Sequence, residues 1–353
     1  MRILRFIAPI VIIGLIAVSV GAGGDNAVTA NTVHILMVPA ETTAATSVDV
    51  AEQEPEGNAA TLSFDALALN DPYVDRQWAL AHIQIEELWR TTTGGSGVLV
   101  AVLDTGIDKS HEDLDGKVVA EANFTSSPVA GDVYGHGTHV AGIIAAYSDN
   151  GLGVVGVAPQ SQLLNVKVAD DNGRAQASAI AQGIIWAVDN GASVINVSIE
   201  FRGPSPELED AVNYAWNQGA IIVAAAGNEG GQLPVYPAYY EHCIAVAATE
   251  QNDTLALLSN YGDWVDIAAP GFDIYSTLPG NDYGYKTGTS FATAYVSGLA
   301  AILFAEFTDA NGDGNLNDEV RAALEASCQE IGAGEVGYGR IDAAAMAGNF
   351  YLP

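Results

Sequence analysis

ASVINVSIEFRGPSPELEDAVNYAWNQGAIIVAAA, residues 192–226, predicts a strand, a helix and a second strand in succession. The strands, 192–197 and 220–226, are almost continuously apolar, which is the pattern of strands buried on both faces of a sheet. Residues 207–218 between them predict a helix. Strands that alternate with helices in this way favour a parallel sheet, because a parallel connection has to cross over a face of the sheet.

The same alternation continues on both sides of this stretch. Further strands are predicted at 98–103, 163–168, 243–248 and 264–268, and further helices at 137–146, 177–190 and 290–304. The last helix is apolar all round, which in a soluble protein indicates a helix buried at the centre. We therefore predict an α/β fold of three layers, in which helices cover both faces of a central, mostly parallel sheet.

The first 66 residues of the chain differ in composition from the rest. Residues 1–24 combine Arg2 and Arg5 with an apolar run over 6–20 and a small-residue exit at 21–24, the pattern of a secretory signal peptide. An uncleaved membrane anchor is the alternative interpretation of the same pattern. Residues 25–66 are polar and weakly patterned, apart from an apolar run over 33–38, and are interpreted as a short leader or linker that maturation could remove. One domain then spans 67–353.

The net charge argues against one class of partner, and the cysteine content leaves one structural question open. The chain of 353 residues has 12 Lys and Arg against 43 Asp and Glu, a formal net charge of −31, which argues against a nucleic-acid partner. After removal of the signal we expect a secreted, extracellular monomer with no stable membrane partner. The two cysteines, Cys243 and Cys328, are interpreted as structural, and whether they pair stays open.

Four polar residues fall where predicted strands end or helices begin, and these positions meet at one edge of a parallel sheet. Serine is a poor nucleophile until a base takes its proton, imidazole suits that task near neutral pH, and a carboxylate orients the imidazole. Asp104, His136 and Ser290 supply these three groups. Asn228 could hold a developing oxyanion together with the Ser290 backbone N–H, at a helix start that favours negative charge.

Four blocks carry a family resemblance: AVLDTGIDKSHEDL (101–114), YGHGTHVAG (134–142), AAAGNEG (224–230) and GTSFATAYVSG (288–298). They resemble, in content and order, the signature blocks of the subtilisin-like serine peptidases. NDPY (70–73) and YPAYY (236–240) are similar to the thermitase-like members. The resemblance implies an endopeptidase that forms an acyl-enzyme on Ser290, acts on polypeptides and uses no catalytic metal.

Each of the four residues also has a purely structural interpretation. A lone Asp, Ser or Asn at these places is commonly a turn residue or a helix cap, and His139 three residues after His136 is expected to be a core histidine. The other function class that we consider is a catalytically silent binding module of the same fold. A missing member of the triad would favour that alternative, and none is missing.

The family resemblance also implies two walls of a substrate cleft. Gly173, Arg174 and Ala175 would form one wall, and Ser198, Ile199 and Glu200 the other. Residues 198–201 read Ser-Ile-Glu-Phe where the family normally reads Ser-Leu-Gly-Gly. With Glu229 directly after Asn228, two carboxylates would flank the specificity pocket and favour Lys or Arg in the substrate. The alternative, which stays open, is that Glu200 turns outward and pairs with Arg202 or Arg174.

Structural calcium is the cofactor that the resemblance implies. The carboxylates of Asp71 and Asp113 and the side chain of Asn150 would join the carbonyls of Ser148, Leu152 and Val154. Independently, DANGDGNLNDE (309–319) places Asp309, Asn311 and Asp313 at the first ligand positions of an EF-hand-like loop. Its closing position is Val320, with Glu319 one step early, so an ordinary acidic turn explains the loop about as well. Asp71 and Asn150 could likewise be simple turn residues.

Overall fold

The computed structural model describes residues 33–34, 69–92, 94–332 and 335–347, with the backbone alone at 33–34. The predicted signal peptide and nearly all of the leader lie outside these residues. The described chain belongs to one compact unit, Asn31–Pro353.

The strands, in chain order, are β1 Val33–His34, β2 Leu99–Asp104, β3 Val118–Asn123, β4 Gln162–Lys167, β5 Arg174–Ala175, β6 Val194–Val197, β7 Ile221–Ala225, β8 Cys243–Thr249, β9 Ile267–Pro270, β10 Ile274–Leu278, β11 Asp282–Lys286, β12 Cys328–Gln329 and β13 Arg340–Ile341. The helices are α1 Trp78–His82, α2 Ile85–Trp89, α3 Gly137–Ala145, α4 Ala177–Asp189, α5 Pro206–Asn217, α6 Thr289–Glu306, α7 Asn317–Ala326 and α8 Ala343–Ala347. A short 3-10 helix, Val74–Arg76, precedes them.

Nine strands form the central sheet in the order β12-β13-β9-β8-β7-β6-β2-β4-β3. Every neighbouring pair is parallel except β12 and β13, which are antiparallel. The central strands pair in continuous register, for example Leu103 beside Val166 and Val197, whereas the pairing of β3 with β4 shifts between Val118 and Ala120. Their carboxyl ends therefore lie along one edge, where the polar residues singled out above are found.

Alternating side chains of each strand bury two separate cores. Val100 and Val102 of β2 pack with α3 and α6 on one face, whereas Ala101 and Leu103 pack with α4 and α5 on the other. Because both faces are covered, the strands need apolar residues at successive positions. The predicted three-layer α/β architecture is confirmed.

Helix α6 is the central helix that the sequence predicted. Its residues are buried continuously from Thr289 to Leu303, so this part of the helix has no solvent-exposed face. Within the described residues, α6 is the one helix long and apolar enough to cross a membrane, but 83% of its apolar window is buried inside the protein. Such burial identifies it as a core helix.

Two small antiparallel sheets lie outside the central one. Strands β10 and β11 form a hairpin. Strand β1, from the predicted leader, pairs with β5, placing Val33 opposite Ala175 and His34 opposite Arg174. The edge at Arg174–Ala175 therefore accepts an extended polypeptide backbone.

One detail corrects an expectation from sequence, and another answers a question that the sequence left open. The strand predicted at 264–268 begins only at Ile267, because Gly262 to Val265 close a turn in which the Val265 N–H bonds to the Gly262 carbonyl at 3.2 Å. Cys243 and Cys328 are both free thiols, and Cys328 donates to the Leu324 carbonyl.

Candidate active site

Asp104 is the last residue of β2, and hydrogen bonds fix both its backbone carbonyl and its side chain. Its carbonyl accepts the N–H groups of Val168 and Ala169 at 2.9 and 3.1 Å, and its Oδ1 accepts the Thr105 N–H at 2.7 Å. The side chain is fully buried. The carboxylate therefore has one orientation, which faces the start of α3.

His136 directly precedes α3 and meets that carboxylate. Its Nδ1 lies 2.7 Å from Oδ1 and 2.9 Å from Oδ2 of Asp104. Gly137 permits this approach, because a Cβ there would lie 2.1 Å from the Gly106 carbonyl oxygen and 3.0 Å from the Asp104 Cβ. An Nδ1–H donated to Asp104 leaves Nε2 as the free basic nitrogen of the ring.

A buried carboxylate that the sequence did not single out joins these two segments. Asp132 accepts the Thr105 hydroxyl at 2.9 Å, the Gly135 N–H at 2.8 Å and the Thr138 N–H and hydroxyl at 2.9 and 2.7 Å. The Thr105 hydroxyl in turn accepts the Gly137 N–H at 3.0 Å. Asp132 thus ties the turn after Asp104 to the first turn of the histidine helix.

Ser290 is the second residue of α6 and lies against the segment that follows β6. Its hydroxyl donates to the Ser198 carbonyl at 3.4 Å, while the Ser198 hydroxyl donates to the Ser290 carbonyl at 3.2 Å. Its neighbour Phe291 packs on the His136 ring with centroids 5.4 Å apart. The serine therefore lies at the helix end that also contacts the histidine.

Of the two roles considered from sequence for Asn228, the structure shows the helix cap. Its Oδ1 accepts the Thr289 N–H at 2.9 Å and the Thr289 hydroxyl at 3.2 Å, so it caps α6. Because the oxygen is committed to Thr289, the amide nitrogen is directed elsewhere and remains a donor.

Asn260, which the sequence analysis missed, holds the loop that carries Asn228. Its Oδ1 accepts the N–H groups of Glu229 and Gly231, each at 3.1 Å, and its Nδ2 donates to the Ala226 carbonyl at 2.9 Å. Its N–H also bonds to the Gly227 carbonyl at 2.9 Å. One buried amide side chain therefore fixes both ends of the loop.

The two predicted substrate walls occupy different elements. Gly173, Arg174 and Ala175 lie at β5, and Arg174 lines a groove of about 300 Å³ together with Phe124 and Gln182. Ser198, Ile199 and Glu200 follow β6 directly, beside Ser290.

The carboxylates near the pocket have different partners. Glu229 pairs with Arg202 at 3.0 Å and accepts the Asn260 amide at 3.1 Å. The Glu200 carboxylate instead lies against Gly227, where an added Cβ would meet its Oε2 at 2.0 Å. In this structure Glu200 is directed inward, and neither Arg202 nor Arg174 is its partner.

The predicted calcium ligands lie around one loop. Asp113 is fully buried and accepts the Asn150 side-chain amide at 2.9 Å and the Val154 N–H at 2.8 Å. Asp71, which is also buried, accepts the Asp149 N–H at 2.8 Å. Burial, with the negative charges of Asp71 and Glu112 adding to it, raises the pKa of Asp113 to about 6.

The 309–319 loop closes on its own carboxylates. Asp309 accepts the N–H groups of Gly312 and Gly314 at 2.6 and 2.8 Å, and Glu319 accepts that of Ala310 at 3.0 Å. Val320, at the formal closing position, is buried in the core, so Glu319 is the residue that faces the loop. No cluster of three or more His, Cys, Asp or Glu arranged to hold a metal occurs in the described parts of the chain.

His139 is the core histidine that the sequence suggested. It is fully buried, its Nε2 lies 3.1 Å from the Gly284 carbonyl, and its ring packs on Phe291 with centroids 4.6 Å apart. Burial holds its pKa well below the usual value. It is therefore a neutral packing residue.

Comparison with known proteins identifies relatives over most of the chain. The model of the subtilase family (Peptidase S8) matches residues 95–339. Thermophilic serine proteinase of Bacillus sp. (strain AK1) is 46% identical over 77% of this chain and 67% of its own length. Thermitase of Thermoactinomyces vulgaris is 44% identical over 74% of this chain and 92% of its own length.

A solved structure shares the fold. It is described as proteases from Pseudoalteromonas arctica PAMC 21717, and it is 31% identical, with a TM-score of 0.73 over 80% of this chain and 99% of the other. The resemblance inferred from the four signature blocks, and the likeness to thermitase, are confirmed. The chain belongs to the subtilase family and is a subtilisin-like serine protease.

Proposed function

We propose that the protein is an endopeptidase in which Ser290 forms the acyl-enzyme, His136 is the general base and acid, and Asp104 orients the imidazole. The observation that carries the proposal is the buried pair in which His136 Nδ1 faces both Asp104 oxygens at 2.7 and 2.9 Å. This pairing leaves Nε2 free to take the proton of a serine hydroxyl. Asn228 and the Ser290 N–H would stabilise the oxyanion.

The reaction would proceed in two steps, acylation of Ser290 and hydrolysis of the acyl-enzyme. Ser290 Oγ attacks the peptide carbonyl carbon while its proton passes to His136 Nε2, and that proton then goes to the amine as the C–N bond breaks. Water next attacks the ester carbonyl and gives a proton to His136, which returns a proton to Ser290 as the acid leaves. In the resting structure the Ser290 hydroxyl bonds to Ser198 at 3.4 Å, a long contact that a small rotation releases.

Substrate binding along Gly173–Ala175 is supported by the strand pairing, and binding along Ser198–Glu200 by the contacts of Ser198 with Ser290. The backbone of β5 already pairs antiparallel with Val33 and His34 of the leader. Main-chain pairing gives affinity for any extended polypeptide, whatever its sequence. The substrates would therefore be extended segments that bind to this edge once the leader has been removed.

Labelling with a fluorophosphonate tests the proposal directly. The reagent should modify wild-type protein at Ser290, because attack on phosphorus uses the same nucleophile, base and oxyanion donors as attack on a peptide. A protein that is folded but not labelled, and that does not cleave casein, would contradict the proposed mechanism and favour the silent binding module.

We also propose a structural calcium ion at the 148–154 loop, held by Asp71, Asp113, Asn150 and the carbonyls of Ser148, Leu152 and Val154. The residues fit a hard cation, because all six groups offer oxygen and the two carboxylates are buried near each other. Ser148, Leu152 and Val154 lie outside helices and strands, so their carbonyls are not committed to a backbone ladder. Asn150 now donates its amide to Asp113 and would have to turn its oxygen toward the ion.

A second, weaker calcium position is proposed in the 309–319 loop, with Asp309, Asn311 and Asp313 as ligands. Glu319 Oε2 and Asp318 Oδ1 are buried there without a hydrogen-bond partner. An unpartnered buried carboxylate oxygen is costly unless a cation or a donor reaches it. Glu319 would then replace the missing closing ligand at 320.

Calcium is expected to raise the melting temperature of the Ser290→Ala protein, in which self-cleavage cannot obscure the measurement. A ligand bound only by the folded state stabilises it by about 2.7 kcal/mol at a hundred times its Kd. Calorimetric scans with calcium or chelator measure the difference. Asp113→Ala should remove most of it and Asp313→Ala a smaller part.

Asp115→Ala is the matched control, because Asp115 is an exposed carboxylate two residues from Asp113. It should leave the calcium-dependent difference unchanged. A melting temperature that is the same in calcium and in chelator would refute both sites.

Export of the mature domain completes the proposal. Residues 1–24 would direct secretion, and residues 25–66 would be removed during maturation. N-terminal sequencing of protein from the culture medium tests this, since a chain that starts near 67 is expected and an intact residue 1 would exclude it.

A further inference from the structure

The side chain of Glu200 lies between two segments that meet at the proposed catalytic serine. Ser198, two residues before it, exchanges hydrogen bonds with Ser290 at 3.2 and 3.4 Å. The Glu200 carboxylate lies against Gly227. Any other residue at 227 would clash with it, because its Cβ would lie 2.0 Å from Glu200 Oε2. Gly227 has φ of +99°, a conformation that glycine adopts without strain. The carboxylate therefore packs on the residue immediately before Asn228.

One oxygen of this carboxylate lacks a partner. Glu200 Oε2 is buried and has no hydrogen-bond donor in the described chain. A buried, unpaired carboxylate oxygen costs free energy comparable to that of a lost hydrogen bond to a charged group. The oxygen therefore marks a position where an additional donor would be favourable.

The nearby charges do not supply that donor. Arg202 pairs with Glu229 at 3.0 Å, and its side chain is 79% exposed. Burial and the charge of Glu229 raise the pKa of Glu200 to about 7, while the Asn228 N–H and Arg202 act in the opposite direction. Arg202 therefore pairs with Glu229, and among the described residues no cation forms an ion pair with Glu200.

The position of the reacting carbonyl would bring the P1 side chain of a substrate close to Glu200. Its oxygen would lie between the Ser290 N–H and the Asn228 amide, so the α-carbon of the P1 residue is one bond from the carbon under attack. Segment 198–200 contacts Ser290, and Gly227 precedes Asn228. A P1 side chain that enters the gap between these segments meets Glu200.

We propose that Glu200 is the specificity-determining residue of this protease, and that its carboxylate binds the ammonium or guanidinium group of a Lys or Arg at P1. This inference rests on the proposed acylation of Ser290. The bound cation donates to Oε2 and supplies the positive charge for an ion pair with Glu200. Its methylene stem spans the gap between the two backbone segments.

Peptides that differ only at P1 test the inference. Arginine and citrulline have nearly the same shape, but only arginine is charged, so the ratio of their kcat/KM values isolates the ion pair. We expect a ratio of roughly 10 to 100 for the wild type, the range of a hydrogen bond to a charged group. Glu200→Gln should bring the ratio close to one.

Glu229→Gln is the matched variant, because it removes the neighbouring carboxylate and leaves Glu200 in place. Its ratio should stay within about threefold of the wild-type ratio, since the Glu229 carboxylate pairs with an exposed arginine. If Glu229→Gln abolishes the ratio and Glu200→Gln does not, Glu229 is the specificity residue and the proposal is wrong.

The pH dependence of the same ratio gives a readout that does not need a variant. The values of kcat/KM report the free enzyme, and any ionisation that acylation itself requires affects both peptides equally and cancels in the ratio. The charged groups that bear on Glu200 are Glu229 and Arg202. Because Glu200 must be ionised to bind arginine, the ratio should rise with pH through about 7.

The outcomes separate the two proposals. Failure of fluorophosphonate labelling would count against acylation of Ser290, whatever the P1 residue. Active enzyme with an arginine-to-citrulline ratio near one, flat with pH, would overturn the role of Glu200 alone. Preference for alanine at P1, together with a gain for large side chains in Glu200→Gly, would show that Glu200 merely fills the pocket.

Discussion

Replacement of Ser290 by alanine is expected to lower kcat by roughly a million-fold, the size of loss established for the equivalent serine of subtilisin. The reason is chemical, because alanine has no atom that can form the ester. The fold should survive, since the Ser290 hydroxyl makes one long bond of 3.4 Å to the Ser198 carbonyl. We expect a stability change below about 1 kcal/mol.

Ser297→Ala is the matched control on the same helix. Ser297 is fully buried and donates to the Asn196 side chain at 3.0 Å, on a part of α6 that does not meet His136. Its loss should cost about 1 kcal/mol of stability and leave kcat within a few-fold of wild type. Peptide hydrolysis and calorimetry measure both variants. Near-normal hydrolysis by Ser290→Ala would show that another residue is the nucleophile.

The fold could be predicted wherever burial alone determines the sequence. Strands β2, β4, β6, β7 and β8 lie within two residues of their predicted bounds, since a strand covered on both faces needs a continuous apolar run. Helix α6 was predicted at 290–304 and spans Thr289–Glu306. All of these elements are buried on every side over most of their length, so an apolar run alone was enough to predict them.

Edge elements escaped prediction because they are half exposed. Strand β3 largely alternates between partly buried and exposed residues, and no residue of β11 is fully buried. The hairpin of β10 and β11 had a usable signal in its Pro-Gly-Asn turn at 279–281, since such residues favour tight turns. Without an apolar run on both sides, that signal did not stand out.

The residues that support the site could not be predicted from local pattern. Asp132 accepts a hydrogen bond from the Thr105 hydroxyl 27 residues away, and Asn260 donates to the Ala226 carbonyl 34 residues away; no spacing rule encodes such partners. The inward direction of Glu200 depends on the space above Gly227, which only the packed loop defines. The triad residues were predictable because their chemical types and order are themselves distinctive.

Replacement of Asn228 by alanine is expected to lower kcat by roughly a hundred- to a thousand-fold with little change in KM. The amide oxygen is held by the Thr289 N–H at 2.9 Å, so the amide nitrogen is presented as a fixed donor. A donor placed for the oxyanion stabilises the transition state more than the ground-state carbonyl, which is why kcat and not KM should respond.

Alanine at 228 also removes the cap of α6, and a lost cap typically costs about 1 kcal/mol of stability. Asn228→Asp separates the two roles, because aspartate keeps an acceptor for Thr289 but offers no donor and directs negative charge at the oxyanion. If Asn228 acts as the oxyanion donor, Asp should lower kcat at least as far as Ala does. A pure increase in KM, or normal kcat in Asn228→Asp, would mean that Asn228 contributes to this site only as a helix cap.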